Sequence, residues 1–117
     1  MKILVTGGSG QLALALQRQR GNHSLITFRK KDLDITDQEQ LKNIFEREKP
    51  EVVINCAAWT DVDACESNQQ KAFAVNGHAV GSLAESARQV GAQLVQISTD
   101  YVFDGQKGSS YLETDPT

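Results

Sequence analysis

Three glycines in four residues stand near the start of the chain, in the run Thr6-Gly7-Gly8-Ser9-Gly10. Ahead of them lies Ile3-Leu4-Val5, apolar and partly β-branched, the pattern of a short buried strand. Behind them Gln11-Leu12-Ala13-Leu14-Ala15-Leu16 has the residue types of a helix. Glycine lets the backbone take positive φ and lets a ligand approach the main chain closely. The first N–H groups of a helix have no intrahelical partner, and with the positive end of the helix dipole they attract an anion. Strand, glycine turn and helix in this order therefore predict a phosphate cradle. A tight turn with no ligand would use the same glycines; the flanking strand and helix favour the cradle.

The spacing Gly7-x-x-Gly10-x-x-Ala13 fits the dinucleotide-binding fingerprint, which permits alanine in the third place. In such a site the tip of the second strand, about 20 residues past the glycines, meets the adenosine ribose. Here that tip is Arg29-Lys30-Lys31, with Arg29 19 residues after Gly10. An acid there suits NAD and an arginine accommodates a 2′-phosphate, so Arg29 predicts NADP(H), with NAD(H) still possible. A solvated basic turn is the alternative. Cys56-Ala57-Ala58 follows the third apolar run with small side chains, which permit a flat ligand against the backbone; simple strand-end packing would also use them. Ser98-Thr99-Asp100 places hydroxyls and a carboxylate at the tip of a fourth run, a candidate reaction site. Asp61, Asp63 and Glu66 lack the glycine turn and ligand spacing of a calcium loop, so no metal is expected. Cys56 and Cys65 lie in no CxxC or Cys/His pattern and read as free thiols in a reducing cytoplasm.

The elements that must position these residues alternate along 117 residues, the length of one domain. A first helix is expected over residues 11–20, stopped by Gly21, with Arg18 and Arg20 at its negative end. A strand follows over 24–28. A second helix begins with a Thr36–Glu39 capping box, carries Leu41, Ile44 and Phe45 on one face and ends at Lys49-Pro50. Residues 51–55 form a third strand. A long helix over 67–90 opens with a Ser67–Gln70 cap, buries one face (Ala72, Val75, Asn76, Ala79, Val80, Leu83, Ala84, Ala87) and closes at Gly91. On that face Asn76 reads as a satisfied core amide. Gly77 and Gly81 each cost about 1 kcal/mol against alanine, which predicts close packing on a neighbour. Residues 93–97 are a fourth strand, Asp104-Gly105 a turn, and residues 108–117 a polar loop.

Strands alternating with helices imply an α/β fold, a Rossmann-like doubly wound parallel sheet with right-handed crossovers and the order 3-2-1-4. Ligands bind such sheets at the carboxyl ends of the strands, where the glycine turn, Arg29, residues 56–60 and residues 98–101 would gather. The formal net charge of −3 excludes a polybasic surface, so neither nucleic acid nor an anionic membrane is an expected partner. No apolar run approaches the ~20 residues of a membrane span, and the chain runs straight into a strand without a secretory signal. A cytoplasmic setting is the expectation.

The runs TGGSGQLA (6–13), LDITD (33–37), NCAAWTDVDACE (55–66), AFAVN (72–76), ISTDYVFDG (97–105) and YLETDP (111–116) together resemble the dTDP-4-dehydrorhamnose reductase family, a branch of the extended short-chain dehydrogenase/reductases. The resemblance covers nearly the whole chain, and STDYVFDG with AAWT-x-VD is its most specific part. It implies NADP(H)- or NAD(H)-dependent reduction of the C4 keto group of a dTDP-activated 6-deoxyhexose, giving dTDP-L-rhamnose for polysaccharide. It further implies that the main chain of Gly10-Gln11-Leu12 holds the pyrophosphate, that Arg29 meets the ribose and that Asp34 and Ile35 flank the adenine. Ala57, Ala58 and Trp59 would line the second ribose. Thr99 would help a catalytic tyrosine polarise the substrate carbonyl, and Asp100 would touch the sugar. The family's Tyr-x-x-x-Lys pair is expected downstream of Thr99, yet neither Tyr101 nor Tyr111 has a lysine four residues on. The chain therefore reads as the N-terminal, NAD(P)-binding part of a larger enzyme, binding cofactor but without reductase turnover of its own. A non-catalytic nucleotide-binding regulatory module, and an epimerase or dehydratase of nucleotide sugars, are the alternatives.

Overall fold

Leu4 and Val5 have no solvent-exposed surface, and the strand that carries them, β1 (Lys2–Thr6), lies inside the sheet rather than at its edge. The structure is a computed structural model and describes all of residues 1–117. β2 (Ser24–Thr27), β3 (Val52–Asn55) and β4 (Gln93–Gln96) complete a four-stranded sheet in which every pairing is parallel. The strands lie within a residue of the bounds their apolar runs predict.

The strand order is β2-β1-β3-β4, not the expected 3-2-1-4. Apolar runs fix how many strands there are, but not on which side of β1 the third one docks. β1 is buried on both faces and takes a neighbour on each side, whereas the half-exposed β2 has only one. No helix separates β2 from residues 33–35; instead Leu33 and Ile35 drop directly into the core beside Phe28. The chain then returns through α2 (Gln38–Glu48) to the free side of β1. The reversal of direction after β2 makes β1/β3 the switch point of the sheet.

Right-handed crossovers put helices on opposite faces when the direction of travel reverses. α1 (Gln11–Arg18) accordingly covers one face, where Ala13 packs on Ile3 and Val5. On the other face α2 and α5 (Ala79–Val90) bury Leu41, Ile44, Phe45, Ala79, Leu83 and Ala87 against Leu4 and Val53. The alternation of Ile3, Leu4 and Val5 between the two faces is the period-two pattern of a strand.

Several helix ends differ from expectation. α1 stops at Arg18; Arg20 and Gly21, with φ +54°, belong to the following turn. α2 is capped by Asp37, which accepts from Glu39 N and Gln40 N, while the Thr36 hydroxyl turns back to Asp34. Aspartate is at least as good an N-cap as threonine, and the Gln40 side chain donates to the Asp37 carboxylate (2.8 Å) and accepts from Asp34 N (3.1 Å) rather than closing a reciprocal box. The expected long helix runs without interruption from Gln69 to Val90, as α4 (Gln69–Phe73), a π turn at Ala74–His78 and α5, and a separate short helix α3 (Val62–Ser67) precedes it across Asn68. Asp61 caps α3 and Asn68 caps α4, so Ser67 and Gln70 form no cap. Gly77 and Gly81 have open space where a Cβ would stand, so neither serves close packing within the chain. Lys49, at φ 45°, ends α2 and Gly91, at φ 73°, ends α5, as their positions predict. No helix is long and apolar enough to cross a membrane.

Candidate cofactor cleft

The glycine turn is wedged between the tips of β2 and β3, which the strand order brings to either side of β1. Gly7 has φ +65°, and a Cβ on it would lie 2.7 Å from Ala57 N and from the Cys56 carbonyl. Gly8 N donates to Phe28 O at 2.8 Å, and a Cβ on Gly8 would stand 3.0 Å from that oxygen. Gly10 N donates to Gly7 O at 2.8 Å and opens α1 as an N-cap with no side chain to offer. The first backbone bond of α1 is Leu14 N to Gly10 O, so the N–H groups of Gln11, Leu12 and Ala13 have no protein acceptor. Unsatisfied donors at a helix N-terminus beside a side-chain-free turn are what an anionic ligand requires.

A cleft of about 280 Å³ opens at this turn. It brings together Gly7, Gly10, Asp34, Ile35, Ala57, Ala58 and Trp59 from the predicted set. It also takes in Lys30, Lys71 and Val75. Lys30 adjoins the predicted Arg29, and Lys71 and Val75 lie one helical turn apart, so a search for a helix face opposite the glycines would have found them. Gln11 and Leu12, also in the predicted set, do not line the cleft, although their N–H groups are without a protein acceptor at the start of α1. A larger groove of about 890 Å³ between α2 and α5 is lined by no hydrophobic residue and lies away from the glycine turn. The smaller cleft has the chemistry for a nucleotide.

Arg29 stands outside the cleft, exposed, its guanidinium 3.8 Å from the Asp32 carboxylate. An exposed pair at that distance is worth about 0–1 kcal/mol and leaves the side chain free to swing. Asp34 accepts from Thr36 Oγ1 at 2.7 Å and from Thr36 N at 3.0 Å. The hydroxyl bond above all, then the backbone bond and the nearby Lys30 charge, hold its carboxyl below the usual carboxylate range. Burial pushes the Cys56 thiol up, which keeps it protonated.

Trp59 forms one wall and is held from three sides. Asn76 Nδ2 donates to Trp59 O and Trp59 N donates to Asn76 Oδ1, both at 2.9 Å. The Cys65 thiol donates to the same Trp59 oxygen at 3.5 Å. Lys71 Nζ lies 4.0 Å from the ring centroid, a cation–π contact worth about 0.5–1 kcal/mol at an exposed site. Asn76 is thus exposed rather than a core amide, although both ends of its amide are hydrogen-bonded to Trp59; it lies on the π turn. Sequence reasoning also missed Asn55. Its buried amide accepts from the Thr6 hydroxyl and from Ala57 N (3.2 Å) and donates to Gln96 Oε1 (2.7 Å), tying the tips of β1, β3 and β4 together.

Thr99 and Asp100 follow β4 at the same edge of the sheet but do not line the cleft. Thr99 Oγ1 caps the short 3₁₀ turn Asp100–Val102, accepting from Tyr101 N, and donates to Asp100 Oδ1, each at 3.2 Å. Beyond it Tyr111 stacks on Phe103 with ring centroids 4.2 Å apart and donates to Asp104, which holds the polar tail together.

The whole chain, residues 1–117, matches the model of the family described as the RmlD substrate binding domain. It is 48% identical over 118 residues to a dTDP-4-dehydrorhamnose reductase of Burkholderia thailandensis, covering 100% of this chain and 40% of that protein. A dTDP-4-dehydrorhamnose reductase structure from Clostridium acetobutylicum superposes with a TM-score of 0.94 at 46% identity, covering 98% of this chain and 42% of the other. One from Bacillus anthracis, in complex with NADP, superposes with a TM-score of 0.94 at 36% identity and the same coverage. The chain spans about 40% of the length of the curated relatives it matches.

Proposed function

The chain belongs to the family of the RmlD substrate binding domain, and from that premise we propose that it forms the NADP(H)-binding part of a cytoplasmic dTDP-4-dehydrorhamnose reductase. The reaction is reduction of the C4 keto group of dTDP-4-dehydro-L-rhamnose to dTDP-L-rhamnose, a precursor of cell-surface polysaccharide. The observation that carries this reading is the cleft: a turn in which Gly7 admits no side chain, three acceptor-less N–H groups, and lysines 30 and 71 facing a single acid. That set fits a dinucleotide with its phosphates.

Bound there, the nicotinamide would supply a hydride to the substrate carbonyl. The residues of this chain bind and orient. Gln11 and Leu12 N–H hold the pyrophosphate against Gly10. Arg29 releases its weak pair with Asp32 and, with Lys30, takes the 2′-phosphate. Asp34 stays ionised and accepts near the adenine, with Ile35 packed beside it. Ala57 and Ala58 admit the second ribose, which Trp59 walls off from water. Thr99 donates its hydroxyl to the substrate carbonyl oxygen as negative charge develops there, and Asp100 accepts from the sugar.

Ligand-dependent melting tests the reading. NADPH at 100 times its Kd stabilises a protein that binds it by about 2.7 kcal/mol, a shift of several degrees at this size. NADPH should raise the melting temperature more than NADH at equal concentration. No shift with either dinucleotide contradicts the proposal.

A further inference from the structure

Lys71 lines the cleft from α4 with its ammonium over the Trp59 ring, and it is ion-paired with no carboxylate of the chain. Lys2 and Lys107 are each paired with an acid. An exposed lysine over a half-buried ring gains about 1 kcal/mol from that contact, and a phosphate oxygen is the stronger partner for an ammonium. The same cleft is lined by Gly7, Ser9 and Gly10, the turn from which α1 starts, so a diphosphate there would meet both that turn and Lys71. Asp34, the acid lining the same cleft, is already engaged by Thr36 and does not compete for the ammonium.

We propose that Lys71 is an anion-binding residue of the cleft, holding the pyrophosphate of the bound dinucleotide and leaving the face of Trp59 as it does so. This rests on the dinucleotide reading above. The flexible stem of Lys71 lets the ammonium move, while the paired hydrogen bonds from Asn76 keep the Trp59 backbone in place. The uncovered ring face is then free to lie against the ligand.

Trp59 is the chain's single tryptophan, so its emission reports on this exchange without a label. The 117-residue chain is titrated with NADPH while that emission is followed, then with inorganic pyrophosphate, and the NADPH-loaded chain is titrated with dTDP. Lys71→Met keeps a stem of similar length and removes the charge. It should weaken NADPH by about tenfold, the value of one charge-assisted contact, and flatten the dependence on salt. Pyrophosphate should change Trp59 emission in the unmutated chain and not in Lys71→Met, and Lys71→Arg should restore binding. Equal NADPH affinity and salt dependence in the two proteins overturns the proposal. So does weaker dTDP binding with NADPH unchanged, which would give Lys71 to the sugar nucleotide instead. If the unmutated chain binds no dinucleotide, the functional reading fails first and this inference falls with it.

Discussion

Gly7 and Gly8 are held between the tips of β3 and β2 by backbone contacts, while Thr99, at the tip of β4, bonds only to its own turn. β1 is almost wholly buried; β4 exposes Val95, and Tyr101 beyond it is 79% exposed. The two regions lie along the same edge of one sheet, so topology alone does not separate them. What separates them is support. The cleft has neighbours on both sides of β1 and a tryptophan fixed by Asn76. The tip of β4 has β3 as its one paired neighbour in this sheet. The cleft's lining is thus fixed by contacts between elements, whereas Thr99 and Asp100 are held within one short turn.

Gly7→Ala breaks the better-supported region and should have the largest effect. The substitution puts a Cβ into the β3 backbone at a positive φ, and strain plus overpacking cost roughly 3 kcal/mol or more. Urea unfolding should register that loss together with loss of NADPH binding. A stable variant that still binds would mean the turn is slack.

Thr99→Val sharpens the other side. In an enzyme of this family that turns over, losing a donor to the developing oxyanion should cost about 10²–10³ in kcat with little change in NADPH affinity. If kcat holds within a few-fold while the melting temperature drops, Thr99 is a cap of the 3₁₀ turn and the catalytic assignment is wrong.

Asn76→Ala removes both bonds that hold the Trp59 backbone. At about 0.5–1.5 kcal/mol each, their loss should weaken NADPH by roughly 5-fold at the least and about 150-fold at the most. Stopped-flow binding would place that loss in the off-rate. Unchanged affinity would show that the wall holds without its clasp.

The smallest effect is electrostatic. The folded-state carboxyl of Asp34 lies below its unfolded value, so its contribution is present above the ordinary carboxylate pKa and is lost as pH falls through the folded one. Thr36→Val removes the chief cause of that depression. The variant should be slightly less stable at neutral pH, and the gap should close as pH drops below about 4. A gap that widens with acid would reverse the sign of the argument.

Much of the cleft was legible because it depends on local signals. The glycine run, the small residues after β3 and the basic tip of β2 announce themselves within a few residues. The strand order was not legible, since the side of β1 on which β3 docks depends on Leu33 and Ile35 entering the core without an intervening helix. The π turn inside the helix expected over 67–90 was hidden because the apolar spacing runs nearly unbroken through it. Asn55, Asn76 and Lys71 were missed as cleft builders for a related reason: each acts on a partner distant in sequence, such as Trp59 from Asn76 across 17 residues.

If the cleft takes a dinucleotide and Arg29 beside it discriminates the 2′-phosphate, the two cofactors should bind with different affinity. Calorimetric titration of the chain with NADPH and NADH, repeated on Arg29→Asp, tests it most directly. One site, tighter binding of NADPH and a reversed preference in the variant are expected, since the substitution puts an acid where the ribose 2′-hydroxyl would lie. Tighter binding of NADH by the unmutated chain, or heats no larger than dilution for both, would contradict it.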